Sequence, residues 1–348
     1  MKIGILTGGG DCPGLNAVIR AIVRKGVFHE KDQFVGFLEG WRGVLEDRRR
    51  PLDLEAVAGI LPRGGTILRT SRTNPAKKDG GLERCIETLS KHGVEALIVL
   101  GGDDTQSVSQ KLFERGIQVV AVPKTIDNDL GGTDLCFGFD TAVSIATEAI
   151  DRVHTTAEAH NRVIVVEVMG RDSGWIALYS GVAGGADVIL IPERPFDIGA
   201  VAETLKRRHD RGIYFSIVVA AEGAKLGPGS GPITEGTKTD EFGHVRLGGI
   251  GNMLAAEIER RTGFETRAVV LGHIQRGGSP TAFDRMLATR YGIGAIDLVH
   301  EGGFGRMVAL KGNHITSVPI AEAISHPRYV NKELIDVALS LLDRHEAA

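Results

Sequence analysis

LIVLGGDDTQSVSQKLFERGIQVVAVPKTIDND, residues 97–129, decides how the chain is read. Residues 97–100 are a short apolar run of the kind that forms a strand buried on both faces. The run stops at Gly101-Gly102-Asp103-Asp104-Thr105, a turn with little side-chain bulk, and residues 106–115 follow with helical character. A second apolar run, residues 117–122, stops at Pro123-Lys124-Thr125-Ile126-Asp127-Asn128-Asp129. Two successive strands thus carry acidic and hydroxyl residues at their C-terminal ends, where open α/β sheets bind ligands. The first of these loops opens a helix, a setting that favours anions. Four aspartates, a lysine and two threonines side by side suit phosphate and a divalent metal.

The totals bound the rest. The chain has 348 residues, 42% apolar and 24% charged, enough for one large or two ordinary globular domains with an ample core. No apolar run is long enough for a membrane span, and MKIGILTGG reads as a strand, not a signal peptide. A net charge of −3 without a long basic block argues against nucleic acid. Cys12, Cys85 and Cys136 are odd in number and lack metal-type spacing, which fits a reducing cytoplasm. Abundant glycine (47 residues) with only 5% aromatics suits many tight strand-to-helix loops.

Outward from the central stretch the same device recurs. Residues 2–7 form an apolar strand that runs into Gly8-Gly9-Gly10-Asp11-Cys12-Pro13-Gly14. The helix after it has Leu15, Ile19, Ile22 and Val23 on one face and Arg20 and Arg24 on another. Glycines in that position let a phosphate approach the backbone. Pro13 stands where the dinucleotide fingerprint needs its last glycine, and GxxxxGK[ST] does not occur. Residues 33–39 read as a second strand, residues 48–51 as a charged surface loop, and GGTILRTSRT (64–73) as a polar loop. Residues 144–159 have helical spacing. Residues 163–168 are a buried strand carrying Glu167, closed by Met169-Gly170-Arg171-Asp172-Ser173-Gly174 and a helix over 174–181. Strands over 187–191 and 215–221 end at Pro192-Glu193 and Glu222-Gly223. Residues 224–248, rich in Gly, Pro and Thr, read as a loop or small excursion. A strand over 266–271 leads to Gly272-His273-Ile274-Gln275-Arg276-Gly277-Gly278, and a last helix covers about 331–345. This alternation predicts an α/β protein with doubly wound, mostly parallel sheets.

GGDDT followed by PKTIDND resembles the paired signatures GGD-[GD]-[ST] and P-[GK]-TID-[NG]-D of the phosphofructokinases. GGGDCPGLN is similar to that family's GGDxPGxN loop, GGTILRTSR to its GGTxLxxSR, and MGRDSGWIA to its MGRxxGxxA. TRAVVLGHIQRGG is the strongest single match, and the resemblance covers about residues 1–300. It implies two similar doubly wound domains with the active site in the cleft between them. Residues 1–138 plus part of the C-terminal region would form the phosphoryl-donor domain and about 139–300 the fructose-6-phosphate domain, with 301–348 assigned to neither.

Phosphoryl transfer asks a protein for metal, cationic clamps and a base aimed at the attacking hydroxyl. Asp103 and Asp129 are the candidate Mg²⁺ ligands, directly or through water. Asp127, beside that charge and Thr125, is the candidate base for the sugar 1-hydroxyl, the role the resemblance gives to the first aspartate of TID-[NG]-D. The resemblance also implies that Arg171 stabilises the transferring phosphoryl group beside Met169 and Gly170, and that Arg72 reaches the donor on the Gly9-Gly10 loop. Glu222 offers a carboxylate to sugar hydroxyls, and Arg162, Arg267, His273 and Arg276 are the cations expected around the 6-phosphate and the phosphoryl acceptor. In the family the equivalents of Arg162 and Arg267 come from a neighbouring subunit, which implies a homodimer or homotetramer.

Asp104 and Lys124 speak to the donor. Members of the family that use ATP generally carry glycine at both places, and members that use pyrophosphate carry Asp and Lys. Asp104 would stand near a nucleotide's α-phosphate, and two like charges about 4 Å apart cost about 4 kcal/mol at an effective dielectric of about 20, roughly a thousandfold in affinity. Lys124 is expected to pair with Asp104 and add positive charge beside a bare diphosphate. The sequence therefore points to reversible, Mg²⁺-dependent transfer from pyrophosphate to fructose 6-phosphate. An ATP-dependent phosphofructokinase and a non-catalytic phosphate or nucleotide sensor are the alternatives. A nicotinamide-nucleotide or lipid kinase leaves GHIQRGG, MGR and PKTIDND without a purpose, and the broken glycine fingerprint disfavours a dehydrogenase. His154 stands where regulated bacterial members carry an effector-binding arginine, while Arg20, Arg24 and Asp187 still resemble that site, so a weak effector response is expected.

Overall fold

The computed structural model describes residues 1–227, 231, 233–239 and 245–341. The chain divides into two units: Met1–Thr141 with Arg276–Pro327, and Ala142–Thr239, Val245–Gln275 and the chain from Arg328 onward. The first unit opens with β1 (Lys2–Thr7), α1 (Leu15–Lys25), β2 (Gln33–Phe37), α2 (Trp41–Leu45) and β3 (Arg49–Leu52). It continues with α3 (Gly81–Lys91), β4 (Ala96–Gly101), α4 (Asp103–Phe113) and β5 (Val119–Pro123). After α5 (Phe139–His160) the second unit contains β6 (Val163–Val168), α6 (Trp175–Ala183), β7 (Val188–Leu190), α7 (Ile198–Asp210) and β8 (Ser216–Ala221). β9 (Thr234–Thr239), β10 (Val245–Leu247), α8 (Ile250–Thr262) and β11 (Thr266–Val270) follow. α9 (Ala282–His300), β12 (Arg306–Lys311), β13 (His314–Pro319) and α10 (Ile320–Ser325) return to the first unit, and α11 (Lys332–Leu341) ends the description in the second.

The first unit is a seven-stranded sheet in the order β13-β12-β5-β4-β1-β2-β3, parallel except for its two edge strands. Successive residues of a strand face opposite sides. Leu6, Val35, Phe37, Leu97, Val99, Val119 and Ala121 join Trp41, Leu82, Leu89, Val108, Leu112 and Ile320 in one core, so this face is covered by α2, α3, α4 and α10. Helix α9 packs along α1 and against β5 and β12. The order β5-β4-β1 makes the loops after these three strands neighbours, and the registers Thr7↔Leu100 and Gly101↔Pro123 set them level.

Two features of this unit differ from expectation. Residues 48–51, read as a loop because of their charge, belong largely to β3, which pairs antiparallel with β2 from Phe34↔Leu52 to Phe37↔Arg49. Charge and proline there are what a sheet edge uses to discourage further pairing. The chain also returns to the first unit at Arg276, ahead of the boundary near 300. The buried Asp284 carboxylate of α9 accepts from Gly138 N (2.9 Å), Thr141 N (2.8 Å) and Thr141 Oγ1 (2.6 Å), which fastens α9 to the start of α5.

The second unit is a four-stranded parallel sheet, β11-β6-β8-β7, smaller than the first. Val163, Val165, Val188, Leu190, Val218 and Ala220 pack with Ile198, Val201 and Leu205 of α7 and Ile250, Leu254 and Ile258 of α8. Within 224–248, β9 and β10 form an antiparallel pair; residues 228–230, 232 and 240–244 lie outside the described residues, as does the end of the last helix expected to reach 345. Cys12, Cys85 and Cys136 are free and buried. No helix among the described residues is long and apolar enough to cross a membrane.

Gln106 fastens the ends of β4 and β5. It is fully buried, and its Nε2 donates to Val99 O (3.0 Å), Gly101 O (3.2 Å) and Val122 O (3.3 Å). Gln106→Leu deletes this shared donor and is expected to lower stability by about 1–3 kcal/mol. The check is the midpoint of urea unfolding; an unchanged midpoint would show that the strand ends hold without it.

Candidate active site

In the first unit the three neighbouring loops are tied to one another. Gly8 N donates to Leu100 O at 2.9 Å, linking the glycine loop to β4. Gly9 N donates to Ser71 O at 3.1 Å and Thr70 Oγ1 donates to Gly9 O at 2.6 Å, so the 64–73 loop lies along the glycine loop with the exposed Arg72 next in sequence. Asp103 and Asp104 occupy the first turn of α4, where carboxylates are favoured by the helix dipole.

Lys124 follows β5 directly and is only 4% exposed. Its Nζ donates to Gly10 O at 2.6 Å, and among the described residues this is its side-chain hydrogen bond. The Lys124 side chain thus reaches from the end of β5 to the glycine loop. Strand order gives the reason: a long side chain leaving β5 extends past the end of β4 to the loop after β1. Burial lowers the Lys124 pKa, and the Arg276 guanidinium adds to that, while Asp103 and Asp127 oppose it.

The turn after Lys124 gathers carboxylates. Asp127 N donates to Thr125 Oγ1 at 3.1 Å. Asn128 adopts the left-handed conformation (φ 53°), and its Oδ1 accepts from Cys136 N at 2.8 Å. Burial first, then the Asp127 and Asp103 charges, push Asp129 up to about 8. Among the described residues no group of three or more His, Cys, Asp or Glu side chains is arranged to hold a metal ion alone. Magnesium fits such a site, because it is held by one or two carboxylates and completes its shell with water and substrate phosphates. The cost that the three aspartates impose on one another is the kind a divalent cation relieves.

Arg276 Nη1 donates to Asp11 O of the glycine loop at 3.3 Å.

In the second unit the register Val168↔Ala221 sets the ends of β6 and β8 level. Glu222 N donates to Val168 O (2.8 Å) and Gly223 N to Gly170 O (3.0 Å), which brings Met169, Gly170, Arg171 and Glu222 together. The approach requires glycine, since a Cβ on Gly223 would lie 1.8 Å from Arg171 O. Two residues that the sequence reading passed over hold the ends of the Arg171 loop. The fully buried Gln275 accepts from Met169 N at 3.4 Å and donates to Gly272 O at 3.1 Å, adding the turn that carries the exposed His273. The Glu193 carboxylate accepts from Gly174 N at 2.9 and 3.0 Å. Gln275 stood inside the strongest motif and Glu193 at a strand end, so position was the available signal for both.

Arg162 and Arg267 lie elsewhere. Arg162 immediately precedes β6, and Arg267 is level with Ile164 at the start of the same strand. Both reach Glu265, at 2.8 and 2.6 Å. Six residues of β6 separate this end from the Arg171 loop, a span of about 20 Å.

Glycine loop, cations and carboxylates at adjoining strand ends define an α/β protein built for phosphate and metal chemistry. The phosphofructokinase family model matches residues 2–299, and the chain belongs to that family. Enzymes of the family generally use magnesium. A protein of Amycolatopsis mediterranei named pyrophosphate–fructose 6-phosphate 1-phosphotransferase is 60% identical, over 96% of this chain and 97% of that one. One of Streptomyces coelicolor named ATP-dependent 6-phosphofructokinase 3 is 52% identical, over 93% of this chain and 95% of that one. The crystal structure of Pichia pastoris phosphofructokinase in the T-state matches 98% of this chain with a TM-score of 0.83 at 31% identity. This chain spans 36% of that longer one.

Proposed function

We propose that the protein transfers a phosphoryl group from pyrophosphate to the 1-hydroxyl of fructose 6-phosphate, giving fructose 1,6-bisphosphate and phosphate. The observation that carries this reading is the donor half: Lys124 delivers its charge to the glycine loop while Asp104 occupies the first turn of α4. A bare diphosphate gains from the first, and a nucleotide's α-phosphate is repelled by the second. The similarity to a relative named for pyrophosphate at 60% identity, against 52% for one named for ATP, supports the same donor. Transfer from pyrophosphate is less exergonic than transfer from ATP, so the reaction is expected to run both ways under cell conditions, and a cytoplasmic site suits these substrates.

In this reading Asp127 takes the proton from the sugar 1-hydroxyl, held in place by its backbone bond to Thr125. Arg171 meets the charge that develops on the transferring group, and Arg72 serves the donor. Met169, Gly170 and Glu222 hold the sugar. Magnesium, carried by Asp103 and Asp129, would neutralise phosphate charge. Arg162, Arg267, His273 and Arg276 serve the 6-phosphate and the phosphoryl acceptor. The strand length between Arg162 and Arg171 supports supply of Arg162 and Arg267 by a second copy of the chain, in a homodimer or homotetramer. Asp187 is engaged within the chain, bonded to Arg208 at 2.7 Å and accepting from Ile217 N at 2.8 Å, which supports a weak response to effectors.

Initial rates with fructose 6-phosphate and Mg²⁺ decide the donor: pyrophosphate is expected to exceed ATP, and the reverse would leave an ATP-dependent enzyme. The double variant Asp104→Gly with Lys124→Gly should move the pyrophosphate-to-ATP ratio of kcat/KM toward ATP by roughly a hundredfold or more. A ratio equal to the parent's would show that these residues do not select the donor. Asp127→Ser should cut kcat roughly 10²–10⁴-fold while fructose 6-phosphate still binds; near-normal turnover would remove Asp127 as the base. Co-expressed Asp127→Ser and Arg162→Ala chains, each inactive alone, should regain activity in mixed oligomers, because one composite site is intact. Inactive mixed oligomers would mean that each chain supplies its own Arg162.

A further inference from the structure

The chain re-enters the second unit at Arg328, and its residues there grip the far end of the Arg171 loop. Trp175, the first residue of α6, is buried, and its indole Nε1 donates to Arg328 O at 3.0 Å. The Arg328 guanidinium lies over the same ring, with Cζ 4.0 Å from the ring centroid. Cation and ring attract at such a separation. Two residues on, Val330 N donates to Glu193 Oε1 at 3.0 Å. The same carboxylate accepts from Gly174 N, at 2.9 Å through Oε1 and 3.0 Å through Oε2. Gly174 lies directly on the residues that follow β7: a Cβ there would stand 2.4 Å from Ile191 Cβ and 2.9 Å from Glu193 Oε2.

These contacts complete what backbone bonds begin. Residues 169–174 join β6 to α6 without regular structure. Their first part is held by Glu222 N on Val168 O and Gly223 N on Gly170 O. Arg171 comes next, and a loop anchored only before it would leave its backbone free to swing. The bonds of Glu193 and residues 328–330 supply the second anchor, at Gly174 and Trp175. A carboxylate that accepts backbone N–H groups makes a strong, directional anchor.

We propose that residues 328–330 are a strap that holds the Arg171 loop in its working position, with Glu193 and Arg328 as positioning residues that act on transfer through Arg171. The strap meets the backbone and ring beyond Arg171, away from Met169 and Gly170, which Glu222 and Gly223 hold separately. Loosening it therefore spares sugar binding and weakens the stabilisation of developing charge, for which a displacement of about 1 Å is costly. The inference rests on the role given above to Arg171 and not on the identity of the donor.

Steady-state rates with pyrophosphate, fructose 6-phosphate and Mg²⁺ in a double-mutant cycle test the strap. Glu193→Ala is expected to lower kcat roughly 10–100-fold, with the KM for fructose 6-phosphate within about threefold. Arg328→Ala, which keeps the carbonyl and loses the guanidinium, should do the same to a smaller extent. Glu193→Gln, which keeps one acceptor oxygen, should recover much of the loss. In an Arg171→Ala background Glu193→Ala and Arg328→Ala should each cost less than about twofold, since the group they position is gone. A role in folding alone would lower kcat by the same factor in both backgrounds, and that result would overturn the proposal. An unchanged kcat in both single variants, or a loss confined to the KM for fructose 6-phosphate, would overturn it as well. If Glu193→Ala does not fold, Arg328→Ala and Trp175→Phe, which deletes the indole N–H, carry the same cycle and decide it. Arg171→Lys takes the place of Arg171→Ala if turnover of the latter is too low to measure, and ATP the place of pyrophosphate if ATP is the donor. A normal kcat in Arg171→Ala itself would remove the role of Arg171 and the strap with it, a result distinct from a strap that fails while Arg171 matters.

Discussion

An ammonium buried beside a backbone carbonyl is the constraint around which the loops of the first unit are built. Lys124 is nearly closed off from solvent, and a cation so placed is costly unless its hydrogen bonds and charge are met. Gly10 O meets the first need at 2.6 Å. That single bond joins the end of β5 to the loop after β1, and with Gly8 N on Leu100 O it draws three strand ends into one surface. The aspartates of the GGDDT and TIDND loops meet part of the second need, since Asp103 and Asp127 both act to raise the Lys124 pKa. The same aspartates crowd Asp129 and push its carboxyl up. Cation and carboxylates thus stand on adjoining loops, each acting on the other's charge.

The second unit builds its half by a different device. Among its described residues no fully buried lysine or arginine organises it. Backbone bonds from Glu222 and Gly223 to the ends of the Met169–Arg171 segment do, helped by the absence of a side chain at 223. Gln275 and Glu193 then hold the two ends of that segment through side-chain acceptors. Position and not charge is what these residues contribute, which explains why neither stood out as chemistry.

Much of the fold was legible because parallel strands buried on both faces announce themselves as apolar runs, and 2–7, 97–100 and 163–168 were read nearly at their observed bounds. The family resemblance was legible for a related reason: backbone close to phosphate demands glycine, and metal and proton transfer demand carboxylates, at fixed places after strands. Residues 48–51 were misread because charge marks a solvated edge strand as readily as a loop. The return of α9 to the first unit was not legible because its packing along α1 and against β5 and β12, and the bonds of Asp284 to residues about 140, are all long-range.

The sequence by itself determined the alternating α/β class, the loops that carry the chemistry and the family, since each depends on residue type and spacing along the chain. Only the tertiary structure decided which groups meet. It set Lys124 on Gly10, put Arg276 on Asp11 of the glycine loop, and held Arg162 and Arg267 a strand's length from Arg171. Strand order and register are long-range pairings that no local pattern encodes, and a side chain's partner follows from them.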